Sequence, residues 1–178
     1  MILKISTKNN SCNYWIWNGF KIAWFVENEK DNTPLLLLHG FGANSNHWRN
    51  NIKNFANNGY TVYSMDLLGF GESDQPGIKE IGKLDNGIWC DQVTDFIIDI
   101  IRPINTNKIV IIGNSLGGLV ALTSAVSIPE EISGIIVSPL PDPIGLKINY
   151  SEDKSKFKSI KYQLIKLFVS LLPIEFIL

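Results

Sequence analysis

The stretch Ile109-Val-Ile-Ile-Gly-Asn-Ser-Leu-Gly-Gly-Leu-Val-Ala-Leu122 leaves its chain few folds to choose from. Residues Ile109 to Ile112 carry the continuous apolar, β-branched pattern of a buried strand, and they run without a spacer into Gly113-Asn114-Ser115-Leu116-Gly117. Helix-forming residues follow at once, with Leu119, Leu122 and Val126 as the expected apolar positions. A strand that enters a helix this abruptly forces its central residue into strained backbone. Only glycine-sized neighbours two positions to either side, Gly113 and Gly117, leave room for the chain and for an approaching molecule. Ser115 is therefore expected to stand exposed at the strand's end as a candidate nucleophile. The plainer alternative is a tight turn whose serine merely caps the helix.

The rest of the chain alternates in a way that fits such a turn. Asn18-Gly19, a strong hairpin signal, sits between the aromatic and β-branched arms Tyr14 to Trp17 and Phe20 to Val26, predicting an antiparallel hairpin. Leu35 to Leu38 reads as a short strand buried on both faces. Asn46 to Asn57 places Trp48, Ile52 and Phe55 at helical spacing, and Tyr60 to Leu67 is the next strand. From Ile88 to Arg102 a helical stripe of Trp89, Val93, Phe96, Ile97, Ile100 and Ile101 runs until Pro103 ends it. The helix after Ser115 stops before Pro129, and Ile132 to Val137 makes another strand. This order predicts an α/β fold, a mainly parallel sheet with helices on both faces and an antiparallel hairpin at its N-terminal side. Residues 1–143 are read as the core. Residues 144–178, charged at first and then apolar at helical intervals, are read as the start of a lid.

Composition limits the partners. Sixteen basic and seventeen acidic residues give a net charge of -1, so no electrostatic footprint for nucleic acid is expected. The two cysteines, Cys12 and Cys90, suit neither a stapled scaffold nor a metal site and are read as reduced thiols, Cys90 on a helix. The N-terminus lacks a signal peptide's apolar core, and the expected location is cytoplasmic. Leu164 to Leu172 could touch a membrane surface, but Lys166 and Pro173 interrupt it, and a helix over an apolar pocket is the preferred reading. No metal or organic cofactor is expected, because neither histidine pairs with cysteine or carboxylate at ligand spacing. The sequence says nothing of oligomeric state.

Leu38-His39-Gly40-Phe41-Gly42, Asp66-x-x-Gly69-x-Gly71-x-Ser73, the turn at Ser115 and a later strand with a lid-like segment stand in one order. Together they resemble the α/β-hydrolase family over about residues 14 to 145, a combination more specific than any one of its parts. The wording Gly40-Phe-Gly-Ala-Asn-Ser-Asn-His-Trp-Arg49, the Trp-x-Trp-x-Gly-Phe hairpin and Gly-Asn-Ser-Leu-Gly-Gly further resemble the pheophytinase-like branch of plants and cyanobacteria, which hydrolyses the phytyl ester of chlorophyll derivatives. The resemblance implies a serine hydrolase acting on a small apolar ester, with Ser115 as nucleophile and the backbone N–H groups of Phe41 and Leu116 as donors to the oxyanion. His39 and Gly40 are then read as support for that turn. His47 is read as a surface or loop-bracing residue, and Asp66 as a brace for its own loop.

One element of the family's pattern is missing. The family's chain order is serine, then acid, then histidine, yet the chain's two histidines, His39 and His47, both precede Ser115. Of the acids that follow, Asp142 is the candidate for the triad, although its Pro-Asp-Pro setting reads equally as a turn. The last strands of the fold are expected to be missing, and the chain reads as cut short at Phe176-Ile-Leu178. Two functions follow: an ester hydrolase whose C-terminal third lies elsewhere, or a hydrolase-like binding module without turnover. Nucleotide binding is disfavoured, since neither Gly40-Phe-Gly42 nor Gly113 to Gly118 supplies a phosphate-loop pattern.

Overall fold

The computed structural model describes residues 2–4, 12–77, 80 and 86–138. These fall in the first of two units, Met1–Pro141; the second, Asp142–Leu178, lies outside the described residues, as do the expected lid and Asp142. In chain order the elements are β1 (Ile2–Lys4), β2 (Asn13–Trp17), β3 (Phe20–Glu27) and β4 (Pro34–Leu38), then a 3-10 turn (Ser45–Trp48) leading into α1 (Arg49–Asn57). After them come β5 (Thr61–Met65), α2 (Asn86–Phe96) with a π turn (Ile97–Ile101), β6 (Ile109–Asn114), α3 (Leu116–Ser127) and β7 (Ile132–Ser138).

The seven strands form one sheet in the order β1-β2-β3-β5-β4-β6-β7. The first three strands pair antiparallel and β3 joins β5 antiparallel, while β5, β4, β6 and β7 run parallel. The hairpin turn is the expected one, with Asn18 at φ 49° and Gly19 at φ 86° between the paired Trp17 and Phe20. The short strand β1 has no counterpart among the sequence expectations, because three residues are too few for a periodicity to register.

All five residues of β4 and all five of β5 are buried, as strands covered on both faces must be. The step from β4 to β5 moves one way along the sheet and the step from β5 to β6 moves back. Right-handed crossovers then place α1 on one face and α2 and α3 on the other. On the α1 face, Trp48, Ile52 and Phe55 pack over Leu35, Leu37, Val62 and Ile112. On the other face the predicted stripe of α2, Trp89 to Ile101, is buried with Trp15, Trp24, Tyr63 and Val120. Helix α3 departs from expectation in part: Leu122 is buried as expected and Leu119 half-buried, but Val126 is 45% exposed, and Val120, Ala121 and Ser124 are buried as well. The cause is how closely α3 approaches the sheet, which buries Gly117, Gly118, Ala121 and Ser124 together with Val120 and Leu122. No helix among the described residues is long and apolar enough to cross a membrane.

Candidate active site

Register aligns the ends of four parallel strands. Met65 pairs with Leu38, Leu38 with Gly113, and Gly113 with Val137, so these four residues form one row across the sheet. The residue after each member of that row is Asp66, His39, Asn114 or Ser138. The loops at these carboxyl ends are where an open parallel sheet gathers its chemistry.

Ser115 follows directly on β6 with φ 51° and ψ -112°, a left-handed conformation that costs a non-glycine residue about 1–3 kcal/mol. Three contacts hold it there. Its N–H donates to the Ser138 carbonyl (3.2 Å), its carbonyl accepts from Leu119 N–H (3.1 Å), and the Asn114 side-chain amide donates to the same Ser138 carbonyl (2.7 Å). Its side chain makes no capping hydrogen bond, so the plainer reading of Ser115 as a helix cap has no contact behind it. The flanking glycines are required by space: a Cβ on Gly113 would lie 2.2 Å from the Gly117 carbonyl oxygen, and one on Gly117 would lie 2.3 Å from that of Leu38. Leu116 is the first residue of α3, where helix geometry leaves the N–H without an intrahelical acceptor.

The turn after β4 faces this one. Ala43 N–H donates to the Gly40 carbonyl (3.2 Å), and Gly42 takes φ 72° at the third position of the turn. That hydrogen bond leaves the N–H of Phe41 outside it. A Cβ on Gly40 would stand 3.3 Å from the Ser115 Cβ, which measures how closely the two turns approach. The Phe41 ring is 75% exposed and meets Phe70 edge to face, with centroids 5.4 Å apart. Phe70 also packs against His39 (5.4 Å) and Trp89 (6.0 Å). Phe70 and Asn114 escaped the sequence reading; the glycine-punctuated loop after Asp66 was the signal for the first, and strand pairing to Ser138 carried none for the second.

His39 is fully buried and both ring nitrogens are occupied. Nε2 accepts the Leu67 N–H (3.0 Å), so Nδ1 carries the proton and donates to the Gly40 carbonyl (2.8 Å). Burial holds its pKa below the ordinary 6.5, which keeps the ring neutral, and a ring so placed braces the turn rather than taking a proton from serine. His47 is exposed in the 3-10 turn, edge-on to Trp48.

Asp66 is buried and ties three segments together. Its carboxylate accepts Ser45 N–H (2.6 Å) and Glu72 N–H (2.8 Å), while its carbonyl accepts the Ser73 hydroxyl (2.6 Å). Gly71, at φ 56°, leaves room for that carboxylate. Asp66 is thus a brace, as expected.

Residues 33–167 match the alpha/beta hydrolase fold family. The chain belongs to that family. Among its relatives, "Epoxide hydrolase 4" of Mus musculus is 36% identical over 126 residues, covering 71% of this chain and 33% of that protein. The "1-acylglycerol-3-phosphate O-acyltransferase ABHD5" of Homo sapiens is 32% identical over 125 residues, covering 68% of this chain and 34% of that protein. A membrane phospholipase A described as a bacterial virulence factor superposes with a TM-score of 0.63 at 28% identity, covering 72% of this chain and 39% of that one. The chain spans about a third of the length of the curated relatives named here.

Proposed function

We propose that this chain carries the nucleophile-bearing part of a serine hydrolase that cleaves an apolar ester through an acyl-enzyme at Ser115. The observation that carries the reading is the left-handed backbone of Ser115 between two glycines that admit no side chain, directly opposite the Gly40-Phe41-Gly42 turn. Such strain persists where surrounding structure over-determines it, and it lifts the hydroxyl out of the strand. In the reaction the Ser115 oxygen adds to the ester carbonyl, and the Leu116 and Phe41 N–H groups donate to the oxyanion. The alcohol then leaves, and water cleaves the acyl-serine.

A serine favours esters over epoxides, although relatives are named for epoxide hydrolysis. A serine oxygen that opens an epoxide ends as an ether, which has no carbonyl for water to attack, so the enzyme would stop after one turnover. An acyl-serine is hydrolysed. The names acyltransferase and phospholipase among the similar proteins agree with acyl chemistry, and the exposed Phe41 beside Phe70 offers an apolar contact to a substrate. A phytyl ester, implied by the resemblance of the Trp-x-Trp-x-Gly-Phe hairpin, is not part of this proposal. Trp15 and Trp17 of the hairpin are buried, and the Trp17 indole donates to Asp95, so that wording serves the core. Free Cys12 and Cys90 suit a reducing, cytoplasmic compartment.

A second reading, a binding module without turnover, is favoured by the His39 ring, whose two nitrogens are both committed to main-chain groups. A fluorophosphonate probe separates the two. The 178-residue chain should label slowly at Ser115, because loss of a triad member removes several orders of magnitude of reactivity. Added imidazole should accelerate that labelling, and Ser115→Ala should abolish it. Labelling that survives Ser115→Ala refutes the nucleophile; no labelling with imidazole leaves the binding module.

A further inference from the structure

On the sheet face opposite α3, a cleft of about 370 Å³ opens between α1 and strands β3 and β5. Its apolar side chains are Phe25 and Ile52, with the Val26 main chain between them and the Val26 side chain turned to the other face of the sheet, and Arg49 and Lys53, one helical turn apart, stand along α1. Among the described residues, neither cation has a carboxylate within 4.0 Å. The lining also includes Ser64, which pairs with Phe25 across the strands and is 1% exposed, and its hydroxyl has no hydrogen-bond partner. A hydroxyl taken out of water without an acceptor costs stability, and an acceptor brought in by a ligand removes that cost. Strand alternation puts Ser64 on the α1 face beside Val62, so it belongs to the floor of this cleft.

Two cations without a carboxylate partner among the described residues, one of them (Arg49) donating to the Asn46 carbonyl (3.2 Å), and an orphan donor call for an acceptor with negative charge. Glu27 on the same cleft disfavours more than one such charge, and the apolar lining calls for a hydrocarbon part. We propose that this cleft binds a singly charged carboxylate bearing a short unbranched apolar tail, the chemistry of a medium-chain fatty acid. The carboxylate takes Arg49, Lys53 and Ser64, and the tail lies on Phe25 and Ile52. The site is separate from Ser115 and does not depend on its role.

Titration of the isotope-labelled 178-residue chain with octanoate, followed by amide NMR shifts, tests this. Octanoate should saturate shifts within residues 45–53 and 62–65, while octanol, octyltrimethylammonium and the dianion octyl phosphate should each bind more weakly. Arg49→Gln with Lys53→Gln, both exposed, should weaken octanoate about tenfold or more. Ser64→Ala, which removes the orphan hydroxyl without loss of fold, should weaken it about threefold, and Ser115→Ala should leave it unchanged. Equal binding of octanol, tighter binding of octyl phosphate, indifference to the Arg49 and Lys53 changes, or shifts confined to residues 113–118 would each overturn the proposal.

Discussion

Replacing Gly117 by alanine sets two effects against each other, and the structure decides which wins. Gly117 lies in the first turn of α3 and is not among the glycines with positive φ, so its backbone accepts alanine. Helix propensity alone would then favour the change by about 1 kcal/mol. Against this, the new Cβ would lie 2.3 Å from the Leu38 carbonyl oxygen, 2.6 Å from its carbon and 2.7 Å from the His39 carbonyl oxygen. All three are main-chain atoms at the end of a buried strand, and none can rotate away. To restore contacts near 3.3 Å the helix must retreat by about 1 Å, loosening Val120 and Ala121 against the core. Overpacking of this kind costs about 1–3 kcal/mol and more against backbone, so Gly117→Ala should destabilise by about 2 kcal/mol net. Gly134→Ala is the control: among the described residues its Cβ meets only Val110 Cγ2, at 4.0 Å, and relief of glycine's chain entropy should raise stability by about 0.5–1 kcal/mol. Urea unfolding of the two variants should move the midpoints in opposite directions at equal slope. A midpoint for Gly117→Ala at or above the parent's would refute the close approach of α3 to β4, and with it the geometry that holds the half-buried Ser115 at the end of its strand.

Buried His39 should make stability depend on pH. Its folded pKa lies below the ordinary 6.5, so the unfolded chain takes up the proton first. Stability is therefore complete above that value and falls below it by up to about 1.4 kcal/mol per pH unit; His39→Gln should flatten the drop in urea midpoint between neutral pH and pH 5, and an unchanged slope would count against it. Asp66→Asn replaces one of two acceptors by a donor facing an N–H, and thermal unfolding should show a loss of about 1–3 kcal/mol. Tyr63 is fully buried with an unpartnered hydroxyl, its pKa pushed up to about 12 by burial. Tyr63→Phe should accordingly leave stability unchanged or raise it by about 1 kcal/mol, read from the denaturation midpoint.

The order of elements was legible because each rests on a local pattern with a physical cause: Asn18-Gly19 on left-handed backbone, the α2 stripe on helical period, Leu35 to Leu38 on burial from both sides. The turn at Ser115 was legible because steric exclusion writes itself as glycine. Contacts set by register were not. Nothing local tells Asn114 that the Ser138 carbonyl will lie 2.7 Å from its amide, and the buried face of α3 depended on how near Gly117 lets that helix come. The π turn at Ile97–Ile101 left no trace either, since every residue in Ile97-Ile-Asp-Ile-Ile101 other than Asp99 fits an ordinary helix as well.

The described residues divide the proposed chemistry unevenly. The candidate oxyanion donors are both main-chain amides held by this part of the fold, one by the start of α3 and one by the Gly40–Ala43 turn, so neither needs anything beyond it. A base is different, because the one imidazole close to the site is already spent on Gly40 and Leu67. Oxyanion donors are worth about a hundredfold to a thousandfold each, and activation of the hydroxyl is worth more again. The described part, holding the donors and the strained serine but with the His39 ring already committed, should therefore recognise a negatively charged tetrahedral species long before it turns over an ester. Measured affinity for such a species with negligible hydrolysis is the combination that this division of parts demands.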